Sequence, residues 1–497
     1  MKERDKHFFI VIGFLFLGFI FRLYPLIYKN IINPDGVRYI NQAKAILAGN
    51  FGLAIDCGFE FLSIYHFLIP AFYKIFGNWI FAAKSITFLF GTLTIIPFYL
   101  IANRFFRNST ALLATLAFTI NPFLVSHSED LIRGPIFWFF GLFGIFFFIS
   151  SFSDDRKNHY LIVSSILFLV AGWARFEASV FFIGSIIYIL MTEKDKLKRF
   201  FLFFSPVIFL SLSVLFGLLI FQQGFELWQF YLGPRVTVFF RDFLESAISG
   251  NIIEKSVSAV SLIFYRLFRV FYSYIIFLIL GLAVIKNELN RNRHFAYFIL
   301  LSLLSFAVLF LFYLRTETMV DRYVAIIFLP AFIFVCTGIE ETIIYFKKQR
   351  VKEKKIIAGI IFFIIVTVAA FPHNLVHKRS DQLVYEEIGI YIASIEKNQL
   401  VKVLSPDSRV SFFANLNSRG IECTNNNQDN YNLLMKMPYQ EMVSTLKRNH
   451  MKYYLWEERN WRNGDYDFLA VAKSDHFQEI MFWDTKYRKI NLFKIKL

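Results

Sequence analysis

Long apolar runs alternate along the chain with short charged segments. A membrane-crossing helix needs about 20 apolar residues, and eleven runs are read as spans, the fifth and sixth rather short: 8–28, 80–102, 109–127, 134–152, 160–174, 177–192, 200–222, 265–285, 295–314, 323–346 and 356–371. The fifth and sixth form one stretch broken at Gly172-Trp173-Ala174-Arg175-Phe176-Glu177. An arginine and a glutamate at mid-membrane would be costly, so the pattern predicts a bend near the surface there.

An odd number of spans puts the two termini on opposite sides, and lysine and arginine set which is which. Segments 1–7, 104–107, 153–158, 193–199, 286–293 and 347–355 hold 20 basic residues in 41 positions, against 11 in 110 for 29–78, 128–134, 174–177, 224–264 and 315–322. The first set reads as cytoplasmic, with the N-terminus, and the C-terminal tail as outside. The first outer loop, 29–78, is expected to be ordered. Asp35 can cap a helix from Gly36 to Ala48, ended by Gly49, and Leu62 to Phe76 is a second amphipathic stretch suited to the membrane interface. Loop 224–264 carries another around Phe239 to Ile248.

After Phe371-Pro372 the chain turns polar, with apolar runs at Leu400–Leu404, Met451–Trp456 and Phe468–Ala472 and helical patterns at Val384–Ile395 and Tyr439–Lys447. The expected fold class is an α-helical polytopic membrane protein with interfacial outer-loop helices and a small C-terminal α/β extracytoplasmic domain. The expected boundaries are 1–372 for the membrane part and 373–497 for the small domain.

Composition agrees. Of 497 residues 56% are hydrophobic and 18% charged, and Phe alone supplies 66, which a soluble chain of this length does not match. The net charge of +16 lies in short loops between apolar runs, so nucleic acid is not the expected partner; membrane lipids are. Three cysteines build no disulfide framework and no CxxC zinc site, although Cys57 and Cys423 both fall outside the membrane and are able to pair. Lys2, Arg4 and Lys6 precede an apolar run without a small-residue cleavage site, the pattern of an uncleaved first span.

Polar residues gather at the outer ends of the spans: Asp35 and Arg38 after the first; His127, Glu129, Asp130 and Arg133 between the third and fourth; Arg175 and Glu177 between the fifth and sixth; and Arg315, Glu317, Asp321, Arg322 and Tyr323 between the ninth and tenth. Arginines bind phosphate through a bidentate fork and a carboxylate accepts a proton, which suits chemistry on an anionic lipid head group. Each group also has a plainer reading. Asp35 can be a helix cap alone, Glu129 and Asp130 solvated turn residues, Arg322 and Tyr323 an interface anchor, and Glu177 the partner of Arg175. His66 reads as interfacial packing.

Three stretches carry a resemblance: Asn33-Pro34-Asp35-Gly36-Val37-Arg38-Tyr39, the acidic turn Ser126-His127-Ser128-Glu129-Asp130-Leu131-Ile132-Arg133, and Asp321-Arg322-Tyr323 followed by Pro330. With the topology, they resemble the GT-C membrane glycosyltransferases, closest to the protein O-mannosyltransferase and aminoarabinose-transferase superfamily, over roughly 8–371. The resemblance implies a polyprenyl-phosphate sugar donor, transfer with inversion on the extracytoplasmic side, and a protein, lipid or glycan acceptor. It implies Asp35 as general base, Glu129 or Asp130 orienting substrate or holding a divalent ion, and phosphate or donor binding by Arg38, Arg133, Arg175, Arg322 and Tyr323. No cofactor is required; His127 with Glu129 is the candidate pair for a divalent metal ion. Gly36 follows Asp35 where the eukaryotic mannosyltransferases have a second acidic residue, and the Trp-Trp-Asp motif of oligosaccharyltransferases is absent. A transporter or flippase of lipid-linked saccharides is the alternative, and would place polar groups at mid-depth rather than at one face. An assembly factor is the third reading. The Ile-, Phe-, Lys- and Asn-rich composition points to a bacterial plasma membrane.

Overall fold

The computed structural model describes residues 3–28, 32–58, 61–152, 158–192, 195–220, 252–348, 382–418, 420–421, 427–461, 467–472, 476–485 and 488–496. The expected span 356–371, the stretch Phe239–Ile248 and Cys423 lie outside them. Two compact units emerge, one of residues 1–26 and 84–376, the other of 27–83 and 377–497.

In the first unit each remaining apolar run is helical. Helix α1 covers Glu3–Tyr28, and the sixth run is Phe176–Ala178 as a 3-10 turn followed by Ser179–Thr192. Four described helices are long and apolar enough to cross a membrane unaided: Trp79–Phe105, Ile252–Ala283, Phe295–Thr316 and Ala325–Phe346. The chain is a multi-pass membrane protein. One expectation needs correcting, because the run assigned to 265–285 begins at Ile252. The polar residues Glu254, Lys255 and Ser256 conceal that start; their helix is continuous with the apolar turns that follow.

Another correction concerns the third run. It breaks at Asn121 into Asn108–Ile120 and Pro122–Glu129, bent by 46°. Pro122 has no N–H to offer, and the Phe123 and Leu124 amides turn to Asn121 Oδ1 at 3.0 and 3.4 Å. The tight turn expected at 128–134 therefore follows a short helix.

Packing in this unit is aromatic and close. Phe98 stacks on Phe118 at 4.1 Å, and Phe332 meets both edge-on. At one crossing, helix Ile275–Ala283 meets helix Ala325–Lys348 backbone to backbone. A Cβ on Gly281 would stand 1.8 Å from the Phe334 carbonyl oxygen, and one on Gly338 1.9 Å from that of Phe277.

The second unit joins two distant stretches of chain. Its four-stranded sheet has the order β1-β2-β4-β3, from Val403–Leu404, Tyr453–Glu457, Phe477–Thr485 and Arg488–Ile495. Strands β1 and β2 are parallel and the other pairs antiparallel. Side chains alternate between two cores. Val403, Tyr453, Leu455, Ile490 and Leu492 pack beneath helices Leu383–Ile395 and Ser408–Ala414; Leu404, Tyr454, Trp456 and Phe493 pack beneath Asn427–Met435 and Tyr439–Arg448. Within the apolar run Phe468–Ala472, Phe468–Val471 form a helical turn.

Helix α2, Pro34–Leu47, also belongs to this unit and begins two residues before the expected start. Its cap is Asn33, whose Oδ1 accepts from Gly36 N at 2.6 Å. Asp35 is not the cap but sits in the first turn, because Pro34 already occupies the first helical position with its fixed φ. Helix Ile64–Phe76 matches the second amphipathic stretch. His66 is fully buried. Ser63 N donates to its Nδ1 at 2.8 Å, so Nε2 carries the proton and donates to Gln42 Oε1 at 3.0 Å. Cys57 is disulfide-bonded, and Cys336 is a buried free thiol.

Near the other end of α2, Lys44 Nζ donates to Leu416 O at 3.0 Å and lies about 6 Å from the rings of Trp79 and Phe412. Burial lowers its pKa to about 8. Below pH 8 the folded state holds this ammonium against its desolvation; between 8 and the ordinary lysine value the unfolded state binds more protons, so stability rises with pH. Relative to Lys44→Met, which lacks the titrating group, the wild type is expected to gain stability by on the order of 2 kcal/mol between pH 7 and pH 10.5. Chemical denaturation of both proteins across that range measures it.

Candidate active site

Asp35 and Arg38 lie three residues apart on the half-exposed side of α2, with the buried Val37 and Ile40 on the far side and the buried Tyr39 one turn from Asp35. The Asn33 cap and Pro34 place the Asp35 carboxylate at the positive end of the helix dipole. Behind them Tyr39 stands edge-on to Tyr65 and His66, at 5.4 and 5.2 Å, so the face that carries the pair is backed by a packed wall.

The remaining expected residues belong to the first unit. Arg175, 7% exposed, donates from Nη2 and Nε to Glu177 at 2.8 and 3.4 Å and from Nη1 to Arg322 O at 3.0 Å. It faces the Tyr323 ring at 5.4 Å, and Arg322 approaches the same ring at the same distance. Glu177 is thus the partner of Arg175, and Arg175, Arg322 and Tyr323 lie in one cluster. At least three of the five guanidinium N–H groups of Arg175 are engaged. Its guanidinium holds the Arg322 carbonyl, and a few residues earlier Glu317 takes a left-handed φ of 52°.

Two arginines in this cluster escaped the sequence reading. Arg266 donates to Asp321 Oδ1 at 2.9 Å and Arg269 lies 3.3 Å from Oδ2. They stand one turn apart within an apolar helix, a pattern that demands a carboxylate partner and was the available signal. The Lys255–Glu317 pair, 2.7 Å apart, adds a further link between the same two segments.

Glu129 ends the helix after the Asn121 break, and Asp130 continues it in extended conformation. Both are half-exposed, as are His127 and Arg133. His127 Nδ1 lies 3.0 Å from Phe123 O and 3.3 Å from Ser126 Oγ. Among the described residues no group of three or more His, Cys, Asp or Glu side chains is arranged to hold a metal ion.

A buried arginine in α1 supports this turn. Arg22, 1% exposed, donates from Nε to Ser128 Oγ at 3.2 Å and from Nη1 to Gly18 O and Thr119 O at 3.1 and 3.2 Å. In an unbroken helix Thr119 O would accept from the Phe123 amide; Asn121 has taken that amide, and Arg22 replaces it. Asn121 Nδ2 in turn reaches Val270 O at 3.2 Å, next to Arg269. Arg22→Met leaves a buried carbonyl and a buried hydroxyl without this donor and is expected to cost about 1–3 kcal/mol. A lowered unfolding temperature in detergent checks it.

This chain is a multi-pass membrane protein whose fold is shared with ArnT and with an archaeal oligosaccharyltransferase. Residues 64–221 match the model of the dolichyl-phosphate-mannose-protein mannosyltransferase family. Among solved structures, ArnT from Cupriavidus metallidurans in the apo state is similar at 12% identity and a TM-score of 0.58, over 97% of each chain. ArnT bound to undecaprenyl phosphate gives 12% and 0.60, again over 97% of each. The apo oligosaccharyltransferase of Archaeoglobus fulgidus gives 10% and 0.63, over 92% of this chain and 70% of that one. No match is found among curated protein sequences.

Proposed function

We propose that the chain transfers a sugar from a polyprenyl-phosphate-linked donor to an acceptor on the extracytoplasmic face of a bacterial plasma membrane. The observation that carries this reading is Asp35, set by the Asn33 cap and Pro34 on the half-exposed face at the positive end of the first outer-loop helix. The GT-C fold supports it, as does similarity to a structure bound to undecaprenyl phosphate and to a dolichyl-phosphate-mannose family.

In this mechanism Asp35 accepts the proton of the acceptor hydroxyl or amine as that atom bonds to the sugar C1. The bond from C1 to the phosphate oxygen breaks in the same displacement, its electron pair stays on the polyprenyl phosphate, and C1 inverts. Arg322, on the Tyr323 ring, and Arg38 and Arg133, each half-exposed, stabilise the developing phosphate charge. Arg175 acts behind them by holding the Arg322 carbonyl. Glu129 and Asp130 orient substrate. The topology proposed is eleven crossings with a cytoplasmic N-terminus, from the lysine and arginine distribution.

The test is release of free polyprenyl phosphate by the purified protein from a panel of polyprenyl-phosphate sugars, with acceptor-rich membranes supplied. Release from one donor is expected and names the sugar. Release from none, with donor moved across vesicles instead, overturns the reading in favour of transport.

A further inference from the structure

Helix α2 is held at both ends by a single short segment that follows it by more than 360 positions in the chain. At its start, Arg409 Nη1 donates to Ile32 O at 3.3 Å, the carbonyl just before the Asn33 cap. Near its end, Lys44 reaches Leu416 O. Both anchors come from helix Ser408–Ala414 and the two residues after it.

The Arg409 end is built to allow one geometry. Arg409 is 4% exposed. Its Nε and Nη2 grip the two carboxylate oxygens of Asp407 at 2.7 and 2.5 Å, while Asp407 also caps the helix by accepting from Arg409 N at 3.0 Å. Nη1 is shared between Ile32 O and Gln382 Oε1, the latter at 2.6 Å, and the guanidinium lies 5.1 Å from the Tyr385 ring. A forked pair of this kind has no freedom to rotate, so the direction in which Nη1 meets Ile32 O is set by the fold around it. Apolar contact would hold α2 to its neighbours without that directional control. A buried guanidinium carries a desolvation penalty, and what it gives here is a fixed position for one carbonyl.

We propose that Arg409 is a positioning residue for Asp35, with Lys44 as the second anchor. The C-terminal α/β part thereby takes a share in the reaction by setting where the first turn of α2 stands. This rests on the reading of Asp35 as general base. The class of contact is directional hydrogen bonding.

The experiment uses the purified full chain as wild type, Arg409→Gln, Arg409→Lys, Lys44→Met and Asp35→Asn. It reads kcat and KM for the donor, the pH dependence of kcat, and hydrogen exchange of the amides at 35–38. Displacement of a reacting group by about 1 Å is worth about 10²-fold in rate, so Arg409→Gln is expected to lose kcat on that scale with KM within about twofold. Its acid limb in the pH profile shifts, its first-turn amides exchange faster, and Arg409→Lys recovers part of the rate. A folded Arg409→Gln protein with wild-type kcat, pH profile and exchange overturns the positioning role, while an inactive Asp35→Asn in the same series keeps Asp35 as base. Asp35→Asn at the wild-type rate overturns the underlying reading, and this inference with it. If Arg409→Gln does not fold, Lys44→Met decides: a reduced kcat at constant KM supports the clamp, and unchanged kcat and exchange overturn it.

Discussion

Asp35→Asn is expected to lower turnover by about 10²–10⁴-fold, the range for removing a positioned general base, while KM for the lipid donor moves little. The substitution is close to isosteric and leaves the Asn33 cap and Pro34 in place. Its cost to folding is the loss of a carboxylate near a helix N-terminus, about 0.3–1 kcal/mol. Loss of rate and loss of structure are therefore separable: the variant should purify with a near-normal unfolding temperature and release almost no polyprenyl phosphate. A variant within about threefold of wild type removes Asp35 as the base, since even the weakest general-base contributions exceed that.

Substitution of Gly338 is expected to act on the fold instead. The atoms that a Cβ there would strike are Phe277 O, C and Cα at 1.9, 2.7 and 2.9 Å, all backbone. No side chain can swing aside, so the two helices have to separate along their crossing. Gly281 faces the reciprocal obstacle, with Phe334 O and C at 1.8 and 2.8 Å. Between membrane helices, close approach through small residues is itself a source of association. Gly338→Ala should cost about 3 kcal/mol or more, at the upper end for overpacking, and Gly338→Val should abolish monodisperse protein in detergent. A monodisperse Gly338→Val with a wild-type unfolding temperature would show that the crossing opens without consequence.

What the sequence made legible follows from how local each cause is. The membrane helices were readable because lipid imposes a long apolar run on each of them, and the first-loop helix because Asn33, Pro34 and Gly49 are local signals. The cap was misassigned by two positions, since Asp and Asn serve equally there and only Pro34 at the first helical position favours Asn33. The bond from Arg409 to Ile32 has no local trace, as its partners are 377 positions apart. Strands β3 and β4 were missed for a related reason. Met481 and Phe482 are exposed on the edge strand β3, which blurs the alternation by which a half-buried strand is normally seen. The arginine pair Arg266 and Arg269 stood in an apolar run where its partner, Asp321, had to be found across a helix hairpin.

The division of the second unit between Ile27–Ala83 and His377–Leu497 also has a consequence in time. A ribosome adds roughly 5–20 residues each second, and about 290 residues separate Ala83 from His377. The first outer loop therefore emerges and waits on the order of 15–60 seconds before the segment that clamps it has been made. Through that interval α2 lacks the donors of Arg409 and the acceptor at Leu416. The residue proposed as base is synthesised early and receives its anchors late, so a nascent chain arrested before residue 409 would carry Asp35 without a fixed place for it.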